Sequence, residues 1–160
     1  MENEIKIKEL DDREVAFVSF TGNYMGNSQV FKDLFEKLCG WAGPKNLINS
    51  NTVFLSAYQD DPNTTPHEEM TVEVCMTISP DVEVEGDVKK KVLPGGKYVV
   101  MNVELEGPEG YGPAWNKVVE WMKENKVEID MSRPSYEIYL NDPNEHPKKH
   151  HILDICMSAK

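Results

Sequence analysis

Residues 133–143 read RPSYEIYLNDP, and the order of residue types in them constrains the rest of the chain. Tyr136, Ile138 and Leu140 alternate with Ser135, Glu137 and Tyr139, the two-residue period of a strand. Pro134 opens the stretch, and Asn141-Asp142-Pro143 closes it with turn chemistry. Glu137 therefore falls mid-strand among aromatic neighbours. Glutamate is depleted in strands and is seldom fully buried without a partner. Two readings follow: a carboxylate on a solvated sheet face, or a binding carboxylate on a concave one.

The segment after this strand has a double. DPNEHPKKHHILDICM from Asp142 repeats DPNTTPHEEMTVEVCM from Asp61, an offset of 142 − 61 = 81. The pairs Asp61/Asp142, Pro62/Pro143, Asn63/Asn144, Pro66/Pro147, Cys75/Cys156 and Met76/Met157 are identical. At the same offset Glu73 faces Asp154, Tyr58 faces Tyr139 and Ser56 faces Glu137. Outward from here the pattern is strand, strand, helix, strand, strand, twice over. Strands are predicted at residues 4–10, 14–20, 52–58 and 70–78, then at 88–93, 97–105, within 133–143 and at 151–157. Helices are predicted at about 29–41, with Ser28 as its cap, and at about 113–125, with Pro113 at its start. Gly40, Gly43 and Pro44 end the first helix. The loop between the second strand and the first helix holds Tyr24-Met25-Gly26. Two copies make a duplicated domain and not a solenoid. The whole chain, 1–160, reads as one α+β domain of two repeats, about 1–78 and 88–160.

Each half offers one helix and a small antiparallel sheet, and the helix covers one sheet face. Two halves about a pseudo-twofold axis would join their sheets, with both helices on one side and a cleft along the axis. Ligand sites favour such junctions. Glu137, Tyr139, Asp154 and Cys156 are expected to alternate away from the apolar side chains together, as are Ser56, Tyr58, Glu73 and Cys75. The halves differ at one telling place, where Ser56 becomes Glu137.

Composition narrows the function classes. The chain carries 28 Asp+Glu against 17 Lys+Arg, a net charge of −11, which disfavours a nucleic-acid face. Three cysteines with no close pair argue against a disulfide framework and for a reducing compartment. The first residues, MENEIKIKELDD, contain no apolar signal region, and no apolar run is long enough for a membrane. The expectation is a cytoplasmic protein without membrane or direct nucleic-acid contact. His146, His150 and His151 with Glu145 resemble a metal cluster, but the spacing matches no ligand motif, and adjacent histidines on a strand face opposite ways. No metal and no cofactor is expected. Cys75 and Cys156 read as small buried residues. Trp115 and Trp121 read first as core, whereas Tyr111, in the Gly-Pro loop EGPEGYGP, is better placed for a site.

The double repeat, RPSYEIYLNDP, the YQDDPNTTP segment before a strand ending VCMTI, and the GGKYVV strand together resemble the GyrI-like domain family. That family includes stand-alone DNA gyrase inhibitor proteins and the effector-binding domains of AraC- and MerR-type multidrug regulators. The resemblance covers residues 5–159 and implies an eight-stranded antiparallel sheet, two helices and a central hydrophobic cleft. It implies that Glu137, on the penultimate strand, is the acidic residue that meets cationic aromatic ligands. The stacking aromatics would come from Tyr139, Tyr98, Trp115 and Tyr111, with Tyr58 as the repeat-mate of Tyr139. Three functions remain open: a stand-alone module capturing lipophilic molecules, cationic ones included; an inhibitor that contacts DNA gyrase; and a hydrolase of reactive cyclopropane-bearing compounds, with Glu137 as acid or base.

Overall fold

The computed structural model of the chain describes residues 4–24, 27–60 and 64–160. Asp61, Pro62 and Asn63 of the repeated motif, and Met25-Gly26 of the loop, lie outside the described residues. Eight strands form one antiparallel sheet: β1 (Ile5–Leu10), β2 (Arg13–Thr21), β3 (Phe54–Tyr58), β4 (Thr71–Thr77), β5 (Lys89–Leu93), β6 (Gly96–Leu105), β7 (Ser135–Tyr139) and β8 (His151–Ser158). Helix α1 (Ser28–Ala42) follows β2, and α2 (Tyr111–Glu124) follows β6. Both lie on the same side of the sheet. The buried stripe Leu34, Leu38, Ala42 faces Ala16, Val18, Val72, Val74 and Met76. The stripe Ala114, Val118, Met122 faces Val99, Met101, Val103, Leu153 and Ile155. Four-residue spacing on each helix meets two-residue spacing on each strand, which is how an amphipathic helix covers a sheet.

The strand order is β1-β6-β8-β7-β3-β4-β2-β5. Exchanging the halves, β1 for β5, β2 for β6, β3 for β7 and β4 for β8, turns this order into its own reverse. The register of the central pair agrees. Ser56 lies opposite Glu137, which is also its repeat-mate, while Phe54 lies opposite Tyr139 and Tyr58 opposite Ser135. An operation that swaps the halves therefore passes between Ser56 and Glu137.

The connections then bend the sheet. Leu10 ends β1 at position one of the order, and Arg13 begins β2 at position seven. Six strand spacings of about 4.8 Å make about 29 Å in a flat sheet. Three Cα steps span at most about 11 Å. The turn after β5 makes the mirrored connection to β6. The sheet must curl until the two turns meet, and they do: the Gly95 amide donates to Asp12 Oδ1 at 2.7 Å. A Cβ at Gly95 would overlap the Leu10 carbonyl oxygen and lie 2.6 Å from the Asp11 carbonyl carbon. The face without helices is thus folded onto itself and buries Val15, Leu55, Ala57, Leu93, Tyr98, Tyr136 and Cys156.

Four local expectations are corrected. Asn27, not Ser28, precedes the first helical turn, and its side chain makes no capping bond. Gly40 does not stop α1; the helix runs to Ala42 and is closed by Gly43. Leu140 lies beyond the end of β7 and is half-exposed, because Asn141 pins the chain there through Ile152 N and His150 O. Asp154 and Cys156 do not share a face with Glu137 and Tyr139. They pair with Ile138 and Tyr136, so they lie on the helix-free face, as do Glu73 and Cys75 in the first half. Alternation fixes faces within a strand; the register between strands fixes them across it.

Candidate functional site

The helices pack over the outer strands, α1 on β2 and β4 and α2 on β6 and β8, so the central pair β3–β7 lies between them. On the helix side this pair presents Phe54, Ser56 and Tyr58 from one strand and Ser135, Glu137 and Tyr139 from the other. Glu137 is 4% exposed. Its Oε1 accepts from Tyr58 Oη at 2.7 Å and from Tyr139 Oη at 2.8 Å, and its Oε2 accepts from Trp115 Nε1 at 2.6 Å. Tyr139 spends its proton on the carboxylate. The 2.7 Å contact between Ser56 Oγ and Tyr139 Oη is therefore a bond that Ser56 donates. Among the described residues Glu137 forms no ion pair.

The surroundings are aromatic and nearly symmetric. Phe35 of α1 meets Tyr139 edge-on at 5.5 Å, and Trp115 of α2 meets Tyr58 edge-on at 5.7 Å. Tyr24 and Phe31 extend the wall beside Tyr58, at 5.8 and 6.4 Å. Burial raises the Glu137 pKa, opposed by the bonds from Trp115, Tyr58 and Tyr139. Burial and then the neighbouring carboxylate hold the Tyr58 and Tyr139 hydroxyls well above the phenol range. Tyr24 is pushed up to about 12 by burial, Asp60 and Glu137. Burial disfavours the charged form of each group, and so does a like charge nearby. The result is a buried carboxylate held by three neutral donors and surrounded by aromatic rings.

A family model for the GyrI-like small molecule binding domain matches residues 3–160. The chain belongs to the GyrI-like family. Among curated relatives, the SPbeta prophage-derived protein YosT of Bacillus subtilis (strain 168) is 31% identical over 123 residues, 77% of this chain and 80% of that protein. A DNA gyrase inhibitor of Enterobacter lignolyticus (strain SCF1) is 23% identical over 145 residues, 89% and 88% of the two chains. Among solved structures, the EcmrR C-terminal domain superposes with a TM-score of 0.76 at 15% identity, covering 100% of this chain and 99% of that one. SAV2435 bound to tetraphenylphosphonium superposes with a TM-score of 0.63 at 14% identity, covering 98% and 94%. At these identities the structures establish a shared fold.

Of the six residues expected at the site, the GyrI-like fold brings four together: Glu137, Tyr139, Trp115 and Tyr58. Trp115, read first as core, supplies the donor to Oε2. Tyr111 makes no hydrogen bond to Glu137 among the described residues; its hydroxyl meets His151 Nδ1 at 2.7 Å. Burial and the Glu137 charge raise its pKa. Tyr98 is not at this site. It lies on the helix-free face, fully buried, stacked on Tyr136 at 5.3 Å, with its hydroxyl donating to Pro134 O at 2.8 Å. Phe35 was missed, although the repeat could have found it: in α1 it stands where Trp115 stands in α2, one residue past the first buried position of each stripe.

The histidine cluster is rearranged. His150 Nδ1 lies 2.6 Å and His146 Nε2 3.8 Å from Glu104 Oε2, and the two rings stack at 4.9 Å. The acid is Glu104 of β6 and not Glu145, and His151 turns away to Tyr111. His146 Nδ1 accepts the Lys148 amide proton at 3.0 Å, which calls for the tautomer with Nε2 protonated. That nitrogen lies 3.8 Å from Glu104 Oε2, within ion-pair reach and beyond a hydrogen bond. No described helix is long and apolar enough to cross a membrane.

Proposed function

We propose that this GyrI-like chain is a binding module that captures lipophilic cations over Glu137, between α1 and α2. One observation carries the reading: a buried carboxylate with no cationic partner among the described residues, walled by Tyr58, Tyr139, Phe35 and Trp115. A bound cation would supply the missing charge, and the ring faces would add cation–π attraction. The tetraphenylphosphonium held by SAV2435, a protein of the same fold, supports this ligand class. Because Glu137 is covered, entry requires the rings over it to swing aside.

Calorimetry with tetraphenylphosphonium and neutral triphenylphosphine oxide tests the reading on wild type and Glu137→Gln. The cation should lose about 1–3 kcal/mol in the variant, the range of a charge-assisted contact, and the neutral ligand little. Equal losses, or none, would sink charge recognition. The relatives named as DNA gyrase inhibitors favour a second reading, a protein contact with gyrase. Inhibition of gyrase supercoiling by both wild type and Glu137→Gln would support it over ligand capture. Chemical turnover of an electrophilic ligand by wild type alone would point to hydrolysis, with Glu137 as acid or base.

A further inference from the structure

On the helix-free face the two halves of the sheet part company. In the first half, Phe17 of β2 lies opposite Cys75, and its ring supports Lys91, whose ammonium is 4.6 Å from the ring centroid. Lys91 forms a hydrogen-bonded ion pair with Glu73, and Gln59 adds a further bond to the same carboxylate oxygen at 3.1 Å. The ring, the ion pair and the amide close that side of the face.

The mirrored positions in the second half are Val100 opposite Cys156, with Lys8 for Lys91 and Asp154 for Glu73. Valine is far smaller than phenylalanine. Lys8 and Asp154 form no ion pair among the described residues; Asp154 accepts instead from Asn102 Nδ2 at 3.0 Å. What remains is a cavity of about 450 Å³ lined by Lys8, Leu10, Arg13, Val100, Ile138 and Asp154, among others. Arg13 reaches it from β2, across the meeting point of the two turns, and its mirrored position is Gly96. Among the described residues neither Lys8 nor Arg13 has an ion pair or a side-chain hydrogen bond. The lining is thus net positive on a protein of net charge −11. Cys156 is held as the neutral thiol, its pKa pushed up to about 12 by burial and by Asp154.

We propose that this cavity is a second binding site, for a small carboxylate with an apolar tail, whose head is met by Lys8 and Arg13 and whose tail rests on Leu10, Val100 and Ile138. The volume falls in the range of small-molecule pockets, which join an apolar floor to a few convergent polar groups. Lysine and arginine together suit a carboxylate, and arginine can grip both its oxygens. Asp154 opposes the anion, so it sets the affinity below what the two cations alone would give. The site lies on the opposite face from Glu137 and takes the opposite charge.

Decanoate and decan-1-ol, titrated calorimetrically below the micellar concentration, test the proposal. Wild type should bind decanoate. The double variant Lys8→Gln/Arg13→Gln should weaken it about tenfold or more, while decan-1-ol should bind both proteins alike. Asp154→Asn should tighten decanoate. Val100→Phe, which copies Phe17 into the second half, should block both ligands. Glu137→Gln should leave decanoate unchanged, which separates this site from cation capture between the helices. Failure of wild type to bind decanoate would overturn the proposal. So would an equal loss of decanoate and decan-1-ol in the charge variant, or decanoate binding that depends on Glu137. Should Val100→Phe not fold, the charge variants decide alone, since Lys8 and Arg13 hold no partner whose loss would unfold the sheet.

Discussion

Trp115→Phe removes the Nε1–H donor from the environment of Glu137 and keeps an aromatic side chain at that position. The lost bond is 2.6 Å long and is the one that the structure gives to Oε2. Hydrogen bonds to a charged group contribute about 1.5–3 kcal/mol each, against about 1 kcal/mol for a neutral pair. The ring change adds a packing cost of its own, which a double-mutant cycle with Glu137→Gln cancels. In the Glu137→Gln background, the new amide oxygen serves Tyr58 and Tyr139 best. The amide nitrogen then faces Trp115 Nε1, donor against donor. There Trp115→Phe removes a conflict and not a bond.

The pH dependence has a definite sign. Burial raises the folded pKa of Glu137 above its unfolded value, so ionising this group lowers stability as pH rises from the unfolded pKa through the folded one. The Trp115 bond favours the ionised form and limits that loss. Removing it raises the folded pKa further. The extra cost of Trp115→Phe is therefore small while Glu137 is protonated, grows as pH climbs through the wild-type folded pKa, and levels off above the variant's. Urea denaturation of the four proteins of the cycle, from roughly pH 5 to roughly pH 9, measures this. The coupling should reach about 1–3 kcal/mol at the alkaline end. A coupling near zero, or one that does not change with pH, would refute the assignment of Trp115 as a donor to an ionised Glu137.

Gly95→Ala should destabilise by more than about 2 kcal/mol, because the new Cβ meets backbone on the facing turn and neither turn can retreat without uncurling the sheet; urea denaturation showing less than about 0.5 kcal/mol would contradict the curl. We propose that residues about 1–78 and 88–160 are the two repeats; each half lends its first strand to the other's sheet, so neither should fold alone, and mixing the two should restore the circular dichroism of the whole. A half that unfolds cooperatively by itself would argue against the exchange. The net charge of −11 should leave duplex DNA unbound at physiological salt, and a salt-sensitive gel shift would count against that.

Much of this was legible in the chain, for physical reasons that differ from part to part. The doubled DPN…CM motif and the two helical stripes are patterns within single elements, where periodicity speaks directly. The pairing of Ser56 with Glu137 was legible as an alignment; that it is also a contact follows from the antiparallel register of β3 and β7, which the alignment does not contain. The fates of Tyr98 and Asp154 were not legible, since each depends on which residue of a neighbouring strand lies opposite. Trp115 looked like core because it follows helical spacing. Its indole nitrogen finds Glu137 only because α2 lies beside the central strands. The helix-free face was the least legible part. Its burial comes from two short turns joining distant strands, and strand order does not show in a single strand's pattern.

The axis position explains why the repeat is broken where it is. A residue on a twofold axis sits beside its own copy, with side chains about 5 Å apart in an antiparallel pair. A faithful duplication there gives two serines or two glutamates. Two buried carboxylates at that distance could not both ionise, and one would hold a proton at neutral pH. Two serines would leave the tyrosines with no acceptor worth their protons and the aromatic walls with no charge to complement. Ser56 beside Glu137 avoids both outcomes. The serine donates to Tyr139, which frees the phenol's proton for the carboxylate, and Tyr58 donates without such help. The two tyrosines, related by the repeat, thus converge on one oxygen of an acid that only one half carries. The symmetry supplies the walls, and its breach at Ser56 and Glu137 supplies the charge.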